Sequence, residues 1–434
     1  MSDRIWHIDR GGPSRRVLIV GGDDVHKRID LMKALSDRFR FAGAGSDLRR
    51  ADDFVQAGFP FIYYPMDRGT NPLSDARSYW FLRRVIRRLQ PDLVHAFATK
   101  PAVWGRLAAA GAGVPVVIGT LPGLGSLYSR NDLVTRIVRT VYQPLQRRAC
   151  HASDLTIFQN EGDLRQFAEA GVVPAGRTAV ISGSGVRTDR LDPAKLNKQA
   201  AQAVRREVGA RDGDVVVTMM SRIIRSKGVM EFARAAQLLR ESHPSARFVL
   251  VGPDDQSSLD RLSPRDLDEV RESVQWLGER SDVRAIYGAT DVFVLPSLYR
   301  EGVPRVLLEA ASMGLPLVTT RSPGCEAVVD EGRNGVLIHA GDVEDLARAV
   351  GSLVAQPVLR KRFAQESRKI AVRHFDLTVV VDATAQHYER LLAAAGRPRG
   401  ADVRRGGQGN LNTPGQTHTG DLKSTGTTGP TQSG

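Results

Sequence analysis

Residues 298–318 read LYREGVPRVLLEAASMGLPLV. They follow the apolar run 291–296 and end inside a second apolar run, 315–320, and both runs are typical of buried strands. Pro304 suits the first turn of a helix, because its φ is already helical and it has no N–H group to leave unsatisfied. Gly314 is placed to end that helix. A strand, a loop, a helix and a second strand in this order predict one βαβ unit of a parallel sheet.

Two carboxylates accompany the start of this helix, Glu301 in the loop before it and Glu309 in its second turn. In a parallel sheet the helix N-terminus lies at the carboxyl ends of the strands, where ligands bind. The unpaired N–H groups of Val303, Arg305 and Val306 can there receive an anion such as a diphosphate. The alternative is an exposed helix residue and a first-turn acid that the helix dipole favours. For an isolated pair of acids this alternative would be preferred.

The rest of the chain repeats the alternation of strands and helices. The alternating pattern begins with the apolar run Arg16–Val20. It is interrupted by a turn-rich segment at 182–193 and resumes near residue 194. We therefore predict an α/β protein with two doubly wound domains. The predicted intervals are 1–15 for a flexible lead-in, 16–190 and 191–376 for the two domains, 377–395 for a final helix and 396–434 for a disordered tail.

Two cations follow the predicted strand 215–220, at Arg222 and Lys227. Cations at the carboxyl end of a strand suit a diphosphate whose negative charge grows as a leaving group departs. The alternative is a solvated basic loop, and Arg225 fits that description. The residues alone leave both interpretations open.

The segment Glu301-Gly-Val-Pro-Arg-Val-Leu-Leu-Glu309 resembles the Glu-x7-Glu motif of retaining glycosyltransferases with the GT-B fold. The resemblance covers residues 16–393, and it implies two Rossmann-like domains that face each other across a cleft. In that fold the N-terminal domain binds the acceptor, the C-terminal domain binds the nucleotide-sugar, and the last helix returns to the N-terminal domain. The further segments that stand in the order and spacing of the family are 221–228, 249–252, 276–278 and 291–297.

The resemblance also implies roles for individual residues. Arg222 and Lys227 match the pair that binds the donor diphosphate, and we predict that they are catalytic together with Glu301. Glu301 would bind sugar hydroxyls, and Glu309 would bind the ribose diol. The predicted donor-binding set is Gly21, Gly22, Arg222, Lys227, Glu301, Gly302, Val303, Pro304, Arg305 and Glu309.

The loop Thr120–Tyr128 (TLPGLGSLY) narrows the resemblance. Together with Ala98-Thr-Lys100-Pro it is similar to the branch that extends undecaprenyl-diphosphate-linked sugars. Many relatives carry a histidine in this loop where the chain has Pro122, which argues against a histidine-assisted mechanism. The alternative for Lys100 is a surface lysine before a proline-initiated helix. The predicted acceptor contacts are Lys100, Gly123, Gly125 and Ser126.

The aspartate pairs at 23–24 and 254–255 suggest a metal site at first sight, because hard cations bind clustered carboxylates. Neither pair has the Asp-x-Asp spacing of metal-dependent glycosyltransferases, and Arg222 with Lys227 supplies positive charge. We interpret both pairs as loop residues that cap helices. We predict no metal and no cofactor, since the nucleotide-sugar is a substrate.

The net charge of +13 is uneven, with +11 in residues 1–200. Arginines 83, 84, 87 and 88, and arginines 136, 139, 147 and 148, lie on two predicted helices beside aliphatic and aromatic residues. This pattern suits an anionic membrane leaflet, and the alternative is solvated arginines on helices that pack against a sheet. No nucleic-acid-binding motif accompanies the charge. Without a run of about 20 apolar residues, a cytoplasmic protein peripheral to the inner face of the plasma membrane is expected.

These expectations describe a retaining glycosyltransferase in cell-surface polysaccharide assembly. It would move a hexose or N-acetylhexosamine from a UDP-sugar onto a polyprenyl-diphosphate-linked glycan. Its partners would be the nucleotide-sugar, the lipid-linked glycan and the anionic membrane surface, with no nucleic acid. Two alternatives stay open: a sugar-nucleotide 2-epimerase or disaccharide phosphorylase on the same fold, and a non-catalytic partner that binds lipid-linked glycan.

Overall fold

The computed structural model describes residues 15–67, 71–123, 133–256, 258 and 260–396. Its strands form two parallel sheets, as the alternating pattern predicts. The first sheet has the order β3-β2-β1-β4-β5-β6-β7, and the second has the order β10-β9-β8-β11-β12-β13. Both orders reverse beside their first strand, which creates a crevice between β1 and β4 and another between β8 and β11.

The elements of the N-terminal half have the following bounds. The strands are β1 Arg16–Val20, β2 Arg40–Gly45, β3 Phe61–Tyr63, β4 Leu93–Phe97, β5 Val116–Leu121, β6 Leu155–Phe158 and β7 Thr178–Val180. The α-helices are α1 Ile29–Ala34, α2 Ala51–Gln56, α3 Pro72–Leu89, α4 Thr99–Ala112, α5 Leu133–His151 and α6 Glu161–Glu169. A short 3₁₀ turn, Val25–Arg28, precedes α1.

The second half repeats the plan. Its strands are β8 Val215–Met220, β9 Ala246–Val251, β10 Gln275–Trp276, β11 Val292–Leu295, β12 Leu317–Thr320 and β13 Gly335–Ile338. Its α-helices are α7 Lys198–Glu207, α8 Val229–Leu239, α9 Pro264–Ser273, α10 Val283–Ala289, α11 Arg305–Ser312, α12 Pro323–Glu326, α13 Val343–Ala355, α14 Pro357–Ile370 and α15 Leu377–Ala395.

Apolar side chains on both faces of the first sheet explain why its strands are continuous hydrophobic runs. Along β1, Val17 and Ile19 belong to one core, and Leu18 and Val20 belong to the core on the opposite face. Successive side chains of a strand point to opposite faces, so a strand that is covered on both sides is mostly apolar, and a polar residue in it, such as His95 in β4, is hydrogen-bonded inside the core. The ligand-binding groups must therefore come from the loops at the strand ends.

The final helix, α15, packs against the N-terminal sheet. Leu377, Val380, Ala385 and Leu392 share a core with the β1 residues Val17 and Ile19. Further along the helix, the Tyr388 hydroxyl lies 2.7 Å from His95 Nδ1. The second half of the chain is thus anchored to the first by a buried apolar helix face.

His95 lies at the centre of this contact, although the sequence suggests no partner for it. Its Nε2 atom is 2.6 Å from Thr120 Oγ1, so both ring nitrogens are hydrogen-bonded. Burial lowers the pKa of His95 well below its ordinary value, and the nearby Arg28 acts in the same direction. A neutral imidazole that donates one hydrogen bond and accepts the other fits a structural role.

None of the helices in the described ranges combines the length and apolar character that a membrane crossing requires.

We expect Tyr388→Phe to lower the free energy of unfolding by about 1–2 kcal/mol, because the buried Nδ1 atom of His95 loses its hydrogen bond to the Tyr388 hydroxyl. Urea denaturation followed by circular dichroism measures the change. Tyr63→Phe is the matched control, since Tyr63 is 44% exposed. Equal denaturation midpoints for the two variants would contradict the anchoring role of Tyr388.

Candidate active site

Most of the predicted donor-site residues lie in three loops at the carboxyl ends of strands. They follow β1, β8 and β11, three of the four strands that border the two crevices. Gly21 and Gly22 follow β1, residues 221–228 follow β8, and residues 296–304 lead from β11 into α11. The strand order and the sequence motifs therefore indicate the same loops as the candidate ligand site.

A buried ion pair joins the loops after β8 and β11. Lys227 Nζ lies 2.6 Å from Glu301 Oε2, and the two side chains are only 13% and 10% exposed. Ser297 donates a hydrogen bond to the other carboxylate oxygen of Glu301. The Lys227 ammonium also lies 5.1 Å from the centre of the Tyr299 ring. Both oxygens of Glu301 are thus held in place.

The environment keeps Lys227 charged. Burial alone would lower the pKa of its ammonium, but the Glu301 carboxylate and the Tyr299 hydroxyl outweigh burial and raise that pKa above the ordinary value. Such a charge, fixed before substrate arrives, needs no reorganisation when a leaving group becomes anionic.

Arg222, the second predicted phosphate ligand, is half exposed and pairs with Asp255, its Nη1 atom lying 2.8 Å from Asp255 Oδ2. The prediction that the aspartate pairs cap helices is wrong for Asp24, whose side chain makes no capping hydrogen bond. Asp24 instead lies 3.7 Å from Arg28 Nη2. Asp255 and Asp24 thus balance arginines of the cleft.

Helix α11 begins one residue later than predicted. Pro304 is its N-cap with ψ of 123°, and Arg305 is the first helical residue. Val303 donates its N–H to Gln159 Oε1 at 3.4 Å, so a side chain from the N-terminal half already satisfies one of the three predicted anion donors. The N–H groups of Arg305 and Val306 lie in the first helical turn.

Glu309 is held on one side of α11 by two partners. Arg305 Nε lies 2.9 Å from Glu309 Oε1, and the hydroxyl of the buried Tyr287 donates to Glu309 Oε2 at 3.0 Å. The carboxylate is 16% exposed, which does not fit an ordinary solvent-facing helix residue. Burial and the adjacent carboxylate raise the pKa of Tyr287, so its hydroxyl stays protonated and donating.

Gly302 and Gly123 let the backbones of the two halves touch, and Gly324 lets two loops of the C-terminal half touch. A Cβ atom on Gly302 would lie 1.2 Å from the carbonyl oxygen of Pro122, and one on Gly123 would lie 2.3 Å from the Gly302 nitrogen. A Cβ atom on Gly324 would lie 1.5 Å from the Gly302 oxygen. Gly123, a predicted acceptor contact, is therefore packed on the predicted donor loop. No side chain larger than hydrogen fits at these positions.

A second bridge between the halves involves residues that sequence reasoning missed. Arg300 Nε lies 2.7 Å from Oδ1 of Asp163, which is 1% exposed. Asn160 donates to the other Asp163 oxygen at 2.9 Å and caps α6. The signal that could have revealed this helix is an Asn followed three residues later by an acid.

The glycines after β1 have different constraints. Tyr64 donates its hydroxyl to the carbonyl oxygen of Gly21 at 2.7 Å, and a Cβ on Gly21 would lie 2.8 Å from Val25 Cβ. A Cβ on Gly22 would meet Pro101 only at an ordinary 3.5 Å. Neither glycine has a positive φ, so backbone conformation does not require glycine at either position. Packing requires Gly21, and donor binding by Gly22 stays a prediction.

Among the predicted acceptor contacts, Lys100 pairs within its own domain. Its Nζ atom lies 2.5 Å from Asp75 Oδ1 and donates to the Asp67 carbonyl oxygen at 2.7 Å. Gly125 and Ser126 lie outside the described residues. A role for these residues in acceptor binding stays a prediction.

Among the described residues, the group whose ligand atoms lie close enough to hold a metal ion is His339, Asp342 and Asp345. Asp342 caps α13 by accepting the Asp345 N–H at 2.8 Å, and Asp345 pairs with Arg348 at 2.8 Å. These contacts account for the group as the start of a helix. It follows β13, away from the three site loops.

Two protein-family models match the chain. Residues 201–370 match the model of the group 1 glycosyl transferases, and residues 28–183 match that of the glycosyl transferase 4-like domain. The two matches together span about three quarters of the chain. The chain belongs to the group 1 glycosyltransferases. Arg222, Lys227, Glu301 and Glu309 of this glycosyltransferase all lie within the first matched interval.

Two relatives are similar over most of this glycosyltransferase. The N,N'-diacetylbacillosaminyl-diphospho-undecaprenol alpha-1,3-N-acetylgalactosaminyltransferase of Campylobacter jejuni is 26% identical over 381 residues, covering 86% of this chain and 97% of the relative. The UDP-Gal:alpha-D-GlcNAc-diphosphoundecaprenol alpha-1,3-galactosyltransferase of Escherichia coli is 28% identical over 339 residues, covering 78% and 84%.

The fold is shared with solved glycosyltransferase structures. Anabaena Alr3699/HepE in complex with UDP superposes with a TM-score of 0.71 at 20% identity, covering 87% of this chain and 100% of that chain. The GT-B fold class predicted from the sequence is confirmed.

We expect Gly302→Ala to force the loops at residues 122–123 and 301–303 apart, because the added methyl group would lie 1.2 Å from a backbone oxygen. Small-angle X-ray scattering measures the result as an increased radius of gyration. Gly396→Ala is the control, since its Cβ would meet the nearest atom at an ordinary 3.5 Å. An unchanged radius of gyration for Gly302→Ala would contradict a tight contact at this glycine.

Proposed function

We propose that this glycosyltransferase moves a sugar from a UDP-sugar to a polyprenyl-diphosphate-linked glycan with retention of configuration. The observation that carries the proposal is the buried Lys227–Glu301 pair beside the first turn of α11, at the crevice between β8 and β11. The two relatives named above support the acceptor class, because their names specify diphosphate-undecaprenol-linked sugars. The bound UDP in Anabaena HepE supports the nucleotide.

In this proposal the C-terminal half holds the donor. Arg222 and Lys227 bind the diphosphate and neutralise the charge that grows on the departing UDP. The first-turn N–H groups of Arg305 and Val306 add the positive end of the helix dipole. Glu309, already oriented by Tyr287, accepts hydrogen bonds from the ribose diol. The site needs no metal ion or cofactor, because protein cations supply the positive charge.

In this proposal the role of Glu301 is to position other groups in the site. Its two oxygens accept hydrogen bonds from Lys227 and Ser297, so the carboxylate is fixed beside the ammonium group that would bind the diphosphate. This arrangement suits contacts with sugar hydroxyls better than nucleophilic attack. We infer a front-face route, in which the leaving phosphate takes the proton of the acceptor hydroxyl. The glycine contact between the halves would exclude water that otherwise hydrolyses the donor.

We expect Arg222→Ala to lower turnover by about 10²-fold, because it removes a donor to the developing charge. Glu309→Ala should raise the donor KM by roughly tenfold or more, because it removes charged hydrogen bonds to the ribose. The measurement is release of nucleotide from a panel of UDP- and GDP-sugars without added metal, with and without membrane extract as acceptor. Wild-type kinetics in both variants would contradict the site assignment.

Arg225→Ala is the matched control for Arg222→Ala. Arg225 lies in the same loop but pairs with Asp266 at 2.5 Å, away from the ion pair. Conversion of free UDP-sugar without acceptor would indicate the epimerase instead. If no sugar nucleotide in the panel releases its nucleotide, even with membrane extract as acceptor, the result would favour a non-catalytic partner that binds lipid-linked glycan.

A peripheral membrane contact forms a separate part of the proposal. Helix α3 buries Leu82, Ile86 and Leu89 against the protein, yet Trp80 is 59% exposed and Phe81 39% exposed on its surface. The exposed Arg84, Arg87 and Arg88 lie on the same helix. Aromatic side chains next to arginines suit the headgroup region of an anionic leaflet, where the lipid-linked acceptor resides.

We expect the triple variant Arg84→Glu, Arg87→Glu, Arg88→Glu to reduce binding to anionic vesicles by more than tenfold, since each basic residue near the surface contributes about 1 kcal/mol. Co-sedimentation with phosphatidylglycerol vesicles measures it, with phosphatidylcholine vesicles for comparison. A control triple variant reverses Arg271, Arg333 and Arg348, which are all more than half exposed. Equal losses in the two triple variants would contradict a role for α3.

A further inference from the structure

A small cavity lies between the two halves of the chain, apart from the Arg222–Lys227 loop. The 3₁₀ turn before α1, the ends of β4 and β5, the start of α11 and the buried face of α15 all contribute to its lining. It measures about 40 Å³, which is room for about three water molecules or one phosphate group. Lys27 and Arg28 reach it from the N-terminal half, and Arg305 reaches it from α11.

Cations dominate the charged residues of this cavity. Its lining contains Lys27, Arg28, Arg187 and Arg305 against one acid, Asp30. Arg187 is engaged elsewhere, because it forms two hydrogen bonds with Asp189 at 2.8 and 2.6 Å. Arg305 is also engaged, because its Nε atom pairs with Glu309 Oε1 at 2.9 Å. Partial desolvation lowers the pKa of the Lys27 ammonium, and Arg28 and Arg305 lower it further against the opposing effect of Asp24.

Arg28 has an unused hydrogen-bond donor. The residue is 8% exposed, and its buried Nε atom has no hydrogen-bond partner among the described residues. Its guanidinium packs over the Phe97 ring at 4.7 Å and approaches Asp24 only to 3.7 Å, which is too long for a hydrogen bond. Most buried polar side-chain atoms have a hydrogen-bond partner, so an unsatisfied donor on a residue that lines a cavity supports a ligand at that place.

The cations call for an anionic ligand, and the cavity lining includes none of Arg222, Lys227 and Glu301. Arg222 and Lys227 both belong to the loop after β8 in the C-terminal half, whereas Lys27 and Arg28 follow β1 in the N-terminal half. Lys100, the residue predicted to meet the acceptor diphosphate, already pairs with Asp75. The Lys27–Arg28 turn is therefore the better acceptor-side candidate.

We propose that Lys27, Arg28 and Arg305 form a second anion site, which holds one phosphate group of the diphosphate on the lipid-linked acceptor. This inference rests on the proposed function, because it takes a diphosphate-linked acceptor as the substrate. A phosphate there contacts cations from both halves of the chain at once. Acceptor binding thereby helps to bring the two halves together.

The test measures binding to the full chain by isothermal titration calorimetry in phosphate-free buffer. The probes are farnesyl diphosphate, a water-soluble prenyl diphosphate, and UDP. We expect Lys27→Gln to weaken farnesyl diphosphate binding by roughly tenfold, the loss of one charged hydrogen bond, while UDP binding is unchanged. Arg222→Ala should have the reverse effect. Lys33→Gln, an exposed lysine on α1, is the matched control and should bind both probes as wild type does.

Arg28→Gln tests the buried donor, and its thermal melting curve shows whether the variant folds. Lys27 is exposed at the mouth of the cavity, so Lys27→Gln keeps the test valid if Arg28→Gln does not fold. Unchanged farnesyl diphosphate affinity in Lys27→Gln would overturn the proposal, as would a selective loss of UDP binding. If no combination of donor and acceptor supports sugar transfer, while Lys27→Gln still weakens farnesyl diphosphate binding, the proposed function is wrong and the anion site is supported.

Discussion

A parallel strand that is covered on both faces can present polar groups to a ligand only beyond its end. In this glycosyltransferase the alternate side chains of β1 belong to two different cores, and β8 and β11 are buried throughout. The chemistry is therefore confined to loops, and sheet order decides which loops meet. Because β1, β8 and β11 border the points where strand order reverses, their loops converge on one cleft.

The buried Lys227–Glu301 pair shows how the cleft keeps charges ready without substrate. Removing two charges from water is costly, and their attraction offsets that cost only when geometry and further hydrogen bonds are good. Here Ser297 provides one such bond, and the Lys227 ammonium lies against the Tyr299 ring. A phosphate that arrives at Lys227 thus meets a cation that is already desolvated and oriented. This preorganisation is more useful to catalysis than to stability.

Much of the fold was predictable because burial on both faces leaves an unmistakable pattern. The runs Arg16–Val20 and Val215–Met220 were predicted to the residue as strands. The Glu-x7-Glu segment likewise indicated which helix approaches the ligand, although Pro304 proved to be its cap. These features depend on residues that are adjacent in the sequence, so they can be predicted without knowing which distant residues pack against them.

Long-range pairs were not predictable in the same way. Nothing near Arg300 in the sequence specifies Asp163, and nothing near Glu309 specifies Tyr287, because each contact depends on how separate elements pack. The glycines are a related case. Gly302 was predicted as part of the donor loop, but the reason that no side chain fits is the Pro122 carbonyl, which only the assembled fold places there.

The return of α15 to the N-terminal sheet means that the chain crosses between its halves twice. The two crossings run side by side, since Val186 donates its N–H to the Phe375 carbonyl and Leu377 donates to the Val186 carbonyl. Thr188 and Asp376 add a side-chain hydrogen bond at the same place. A single connection would leave the two halves free to rotate about the connecting segment as well as to bend there. Two adjacent, hydrogen-bonded connections restrict this rotation, so the main motion left to the halves is the bending that opens and closes the cleft.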